Sequence, residues 1–156
     1  MERQEEAREL LEAYEIATAG EPSDHLALTW EVRRKSRIKA TTANGTEIGL
    51  FLPRGSVLFD GSLIQTTDGT LIAIEAAPED VSTVSSPDAV LLARVAYHLG
   101  NRHVRTEVGP GFIRYRHDRA TDDLVRKLGV DVVVEDVPFE PERGTKDHAH
   151  NHDLAS

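Results

Sequence analysis

Hydrophobic and polar positions alternate through the first half of the chain. "HLALTWEV" (25–32) is apolar at every second residue, "SRIKATTANGTEIGLFLP" (36–53) sets an Asn44-Gly45 turn between two strand-like runs, and "SVLFDGSLIQTTDGTLIAIEA" (56–76) repeats the pattern around Asp-Gly pairs. Strict alternation broken by Asn-Gly and Asp-Gly is the signature of hairpins in series. With Pro53 and Gly55 between the runs, residues 25–76 predict a small antiparallel β domain. Ahead of it, in the acidic lead-in 1–24, Ala7, Leu10, Leu11 and Tyr14 recur at helical spacing and predict an amphipathic helix.

The pattern changes at "APEDVSTVSSPDAV", a polar, Ser-rich stretch that reads as a domain junction. Ser86-Pro87-Asp88 then gives an N-cap, a proline at the first helical position and an acid in the first turn. The helix that follows puts Leu92, Val95, Ala96 and Leu99 on one stripe, with Gly100 as its stop, so it should end within a residue or two of His98. Two short strand-like runs, "HVRTEVG" and "GFIRYR", come next. "DRATDDLVRKLG" predicts a second helix with Leu124, Val125 and Leu128 inward, and "VDVVVEDVPF" a buried strand. With "TLIAIEA" taken as its first strand, the second half has the order β-α-β-β-α-β, which is ferredoxin-like. The expected fold class is therefore α+β: a small antiparallel β domain (25–76), a ferredoxin-like domain (77–140) and a disordered, His-containing tail (141–156).

Composition narrows the chemistry. A formal charge of −9 offers no field to a phosphate backbone, and "RRKSRIK" (33–39) reads as a solvated strand face, so no nucleic-acid partner is expected. No run approaches the roughly 18 apolar residues that span a bilayer, and the acidic start is unlike a secretory signal, which predicts a cytoplasmic protein with no membrane partner. The absence of cysteine removes thiolate metal sites and cysteine nucleophiles. Metal chemistry would rest on histidine and carboxylate, donors that suit nickel, zinc, copper or cobalt.

Seven histidines carry that possibility. His148, His150 and His152 alternate in "KDHAHNHD", so an extended chain turns all three to one side. His103 follows a helix stop and begins a strand, where a side chain can project from the rim of a sheet. One imidazole cannot hold an ion, but a residue near a two-fold axis is presented twice. His98, at the helix end, reads as a dipole-stabilised cap, and His25 as a surface residue heading a strand.

The ordered segments "LTWEVRRKSR", "EIGLFLPRGSVL", "IEAAPEDV", "LLARVAYHLGNRHV", "RYRHDRATDDLVRKLGV" and "VPFEPERG", followed by a histidine tail, resemble the UreE urease accessory proteins, a family of nickel metallochaperones. "YHLGNRHV" and "FEPE" with the tail are the most specific parts. The resemblance implies a β domain related to peptide-binding domains, a ferredoxin-like metal-binding domain and a homodimer. It further implies delivery of Ni2+ to the urease apoprotein through an accessory GTPase complex, without enzymatic activity. His103 matches the interfacial nickel ligand and His148, His150 and His152 the supplementary ones, and Zn2+ or Cu2+ would suit the same donors in vitro. Some members have His-Asp-His where this chain has His117-Asp118-Arg119. Because a guanidinium cannot ligate, a second site at His117 is expected to be weakened.

Two other readings compete. One is a metallohydrolase using His98 and His103 with Glu107 or Asp118, although no His-Glu-x-x-His motif is present. The other is a peptide-docking adaptor of the urease assembly with incidental histidines.

Overall fold

The structure, a computed structural model, describes residues 10–143. Two units of mutually contacting chain meet between Ala77 and Pro78. The first holds β1 (Leu11–Ala17), β2 (Asp24–Leu28), α1 (Trp30–Arg33), β3 (Arg37–Thr41), β4 (Glu47–Phe51), β5 (Leu63–Thr66) and β6 (Leu71–Ala76). Asn44-Gly45 joins β3 to β4 and Asp68-Gly69 joins β5 to β6, with Gly45 at φ 84° and Gly69 at φ 86°, values that a Cβ would disfavour. Leu26, Ile48, Leu50, Leu58, Ile64, Ile72 and Ile74 form the core, each at most 2% exposed.

The sheet order is β2-β6-β5-β1-β4-β3. It is mixed and not purely antiparallel, because β1 runs parallel to β4 and β2 parallel to β6. The lead-in helix is also overturned over the described residues: Leu11–Ala17 is a strand between β5 and β4, with Ala13 fully buried. A register shift between Ala13 and Glu15 breaks its period-two pattern, and Tyr14 and Ile16 lie on the exposed side. Sheet pairing here overrides the helical preference of a Glu-, Ala- and Leu-rich stretch. The "HLALTWEV" run likewise leaves the sheet after Leu28. Arg33 lies in α1 and is fully buried, its guanidinium over the Trp30 ring at 5.3 Å, so the basic stretch is not uniformly solvated.

The second unit holds β7 (Pro78–Ser85), α2 (Ala89–Asn101), β8 (Thr106–Gly109), β9 (Phe112–Arg116), α3 (Arg119–Lys127) and β10 (Val133–Pro138). Its sheet runs β10-β7-β9-β8, antiparallel throughout. The first strand is β7, the segment that reads as a polar junction, whereas "TLIAIEA" is β6 of the other sheet. Asp88 caps α2, accepting from the Val90 and Leu91 amides at 3.0 and 3.2 Å, a contact typically worth about 1 kcal/mol. Val95 and Leu99 of α2 and Val125 of α3 are buried with Val84, Ile113 and Tyr115 of the sheet. β10 is an edge strand with Val133 and Val134 exposed, not the buried strand its apolar run suggests.

The helices pack on one face of this sheet. On the other, Arg114 of β9 pairs with Glu107 of β8 at 2.9 Å and donates to Glu135 of β10 at 3.4 Å. The chain after β10 returns over that face as a strap: Glu140 N–H donates to Glu107 Oε1 at 2.6 Å and Glu142 N–H to Thr106 O at 2.7 Å. Phe139 and Pro141 are buried along it. Pro141 and Glu142, the first residues of the expected tail, are thus tied to β8. The remainder of the tail call, His148, His150 and His152 included, lies outside the described residues.

Candidate metal centre

His103 owes its position to the way α2 ends. The helix continues through Gly100 to Asn101, so Gly100 is inside the last turn and does not stop it. The His103 amide donates to Gly100 O at 3.0 Å and the Val104 amide to Leu99 O at 3.0 Å, while Val104 packs with Leu99 in the core. That pair of bonds is a Schellman motif, whose left-handed residue is usually glycine. His103 occupies it at φ 58°, the one non-glycine residue with positive φ among those described. A side chain in this conformation costs about 1–2 kcal/mol, and the His103 imidazole recovers none of it by burial, being exposed. Strain of this kind at an exposed residue is grounds for seeking a function there.

The strap ties the last described residues to β8, the strand that follows His103. Glu142 is bonded to Thr106, three residues after His103. His148 is six residues beyond Glu142, at most about 22 Å of extended chain. Among the described residues no group of three or more His, Asp or Glu side chains could hold a metal ion. Any metal ion at His103 therefore needs donors from outside the described residues or from another chain.

His117 is held differently. It follows β9, and its Nδ1 lies 2.9 Å from Asp122 Oδ2, with 2% of the Asp122 side chain exposed and 32% of the imidazole. The other oxygen, Oδ1, accepts from Ser82 Oγ and from Tyr115 OH, both at 2.6 Å. Burial first, and then the Asp122 carboxylate, push the Tyr115 phenol above its ordinary range, which keeps it a donor. Asp118, next to His117, caps α3 through the Thr121 amide and hydroxyl at 2.9 and 2.7 Å. The Thr121 hydroxyl and then its amide hold the Asp118 carboxyl below the usual range.

The remaining candidates are not brought to His103 or His117. His98 stands edge-on to Tyr97 with ring centroids 5.3 Å apart, and His25 pairs with Glu75 at 2.9 Å on the first sheet. Glu107 is committed to Arg114 and to the strap. Asp122 escaped the sequence reading. Its signal is a carboxylate three residues before Val125, on the face of α3 that turns inward.

Two family models divide the sequence between them. The UreE urease accessory protein N-terminal domain matches residues 5–77, and the UreE C-terminal domain matches residues 79–155. The chain belongs to the UreE family. The urease accessory protein UreE of Teredinibacter turnerae is 50% identical over 138 residues, 86% of this chain and 90% of the relative. That of Proteus mirabilis is 48% identical over 132 residues, covering 85% and 82%, and that of Escherichia coli O157:H7 is 44% identical over 142 residues, covering 88% and 92%. UreE proteins are urease accessory chaperones and not enzymes, so membership implies a role in urease maturation. The metallohydrolase reading finds no support in the family, and no helix among the described residues is long and apolar enough to cross a membrane.

Proposed function

We propose that this UreE-family chain is a nickel metallochaperone that carries Ni2+ to the urease apoprotein. The ion is cargo, bound at a homodimer axis by His103 from each chain and by tail histidines drawn from His148, His150 and His152. The observation that carries this reading is His103 itself, an exposed imidazole kept in a left-handed turn where glycine would be less strained. The strap supports the tail's part, since it roots the tail at Thr106. The sheet order β10-β7-β9-β8 with two helices on one face supports a ferredoxin-like unit as the platform.

Imidazole nitrogens suit late divalent metals, and the intrinsic order of affinity favours copper over nickel. Selection of nickel then depends on supply and on docking to the accessory GTPase complex in the cytoplasm. Two fixed imidazoles with exchangeable tail ligands allow release by stepwise ligand replacement, each step having a small barrier. Equilibrium Ni2+ binding combined with size-exclusion light scattering tests the proposal. One tightly held ion per dimer, lost in His103→Ala, is expected; one ion per monomer, unaffected by that substitution, would refute it.

The adaptor reading retains one supporting feature. On the first unit Tyr14 stacks on Phe51 with centroids 5.5 Å apart, beside a groove of about 310 Å³ lined by Tyr14, Glu15, Gln65, Thr66 and Gly69. An adaptor would bind the urease assembly equally well with and without nickel, whereas a carrier would release its ion there.

A further inference from the structure

The hydrogen-bond network around Asp122 assigns a tautomer to His117. A buried carboxylate is an acceptor only, and Asp122 faces three groups: Ser82 Oγ and Tyr115 OH on Oδ1 at 2.6 Å each, and His117 Nδ1 on Oδ2 at 2.9 Å. Ser82 Oγ also lies 3.2 Å from His117 Nδ1, but its single proton is used by the shorter bond to the carboxylate. Nδ1 therefore faces two oxygens with no proton to give it, and must carry its own. The lone pair of the neutral ring is then on Nε2, at the outer end of a side chain that is 32% exposed.

We propose that Asp122 is a positioning residue that locks His117 as the Nδ1–H tautomer, so that the second metal site implied there by the family resemblance is left with Nε2 as its one fixed nitrogen donor. A ligating histidine commonly gives its other N–H to a carboxylate, which fixes the ring and raises its basicity. Ser82 and Tyr115 fix the carboxylate in turn, so the ring direction is set by β7, β9 and α3 together. With Arg119 in place of a second histidine, the donor is a lone one, suited to a weak, passing contact with the ion. The inference rests on the metal-carrier reading for its occupant, but not for its tautomer.

The test is long-range 1H–15N correlation NMR on the full chain without metal, at pH 8.5. His117 is expected to show a bare, pyridine-like Nε2 and a protonated Nδ1. In Asp122→Asn the amide can donate to Nδ1 and should reverse that pattern, while Ser82→Ala, which leaves the carboxylate, should not. A protonated Nε2 in the wild type would overturn the assignment by itself, even if Asp122→Asn failed to fold; an unchanged tautomer in a folded Asp122→Asn would also overturn it. Titration with Zn2+ then follows Nε2 of both histidines. The His117 response should weaken about 10–100-fold in Asp122→Asn while the His103 response stays the same. A response at His103 alone in the wild type would sink the positioning role and spare the carrier; no response at either would sink the carrier and leave the tautomer standing.

Discussion

The turn after α2 and the junction before α3 each end in a histidine near the rim of one sheet, and the two are aimed by opposite means. At His103 the backbone does the work: two Schellman hydrogen bonds fix a left-handed residue, and the imidazole is exposed. At His117 the side chain does it, through a buried carboxylate that also binds Ser82 and Tyr115. The first arrangement gives the imidazole no hydrogen bond or ion pair among the described residues, at a cost in backbone strain. The second uses up one nitrogen and strengthens the fold. An exchangeable cargo site is better served by the first, a fixed donor by the second.

The contrast can be broken most directly at the metal. On the proposed homodimer, His103→Ala removes two donors and should cost more than the roughly 100-fold that loss of a ligand's hydrogen-bond partner can reach. His117→Ala should cost far less, and titration calorimetry giving equal losses would abolish the distinction. Stability provides the next test, because Asp122→Ala strands Tyr115 OH and Ser82 Oγ beneath α3. A loss of about 2–4 kcal/mol in denaturant unfolding is expected, and one below about 1 kcal/mol would mean that the network is idle. His103→Gly should move the other way. It relieves the left-handed strain, partly offset by the extra freedom of glycine when unfolded, for a net gain of about 0.5–1 kcal/mol. Metal binding should fall in that same protein. The smallest effect belongs to Asp118. Its carboxyl is held low by Thr121, so its contribution is present above the ordinary carboxylate range near pH 4 and is lost as pH falls through the lower folded value. Melting curves of Asp118→Ala and wild type should differ slightly at neutral pH and converge in acid.

The legible parts of the fold were those in which one side chain tells one story. Asn44-Gly45 and Asp68-Gly69 announce their hairpins, whereas Asp60-Gly61 turns the chain between β4 and β5, which do not pair; Val95, Leu99 and Val125 lie on inward stripes. β7 was hidden because Ser82 is polar yet fully buried, its hydroxyl satisfied by an Asp forty residues away. No local pattern contains that partner. β1 was hidden by the bulge after Ala13 and by apolar residues on both of its faces. Gly100 suggested a helix stop three residues too early, and the residue that takes the glycine conformation is the histidine singled out for its chemistry. His103 was therefore legible as a candidate, while the strain that distinguishes it from His98 required coordinates.

The strap also sets a concentration. With Glu142 bonded to Thr106, a histidine six residues further on is tethered within at most about 22 Å of chain, and tethers this short place their ends at millimolar levels with respect to sites they can reach. On the proposed carrier role, free imidazole would have to reach the millimolar range to compete with the tail for an ion at His103. Lengthening the segment after Arg143 with inserted residues would dilute the tail without changing a single donor, so on the proposed carrier role the spacing between strap and histidines would set how readily the cargo changes hands.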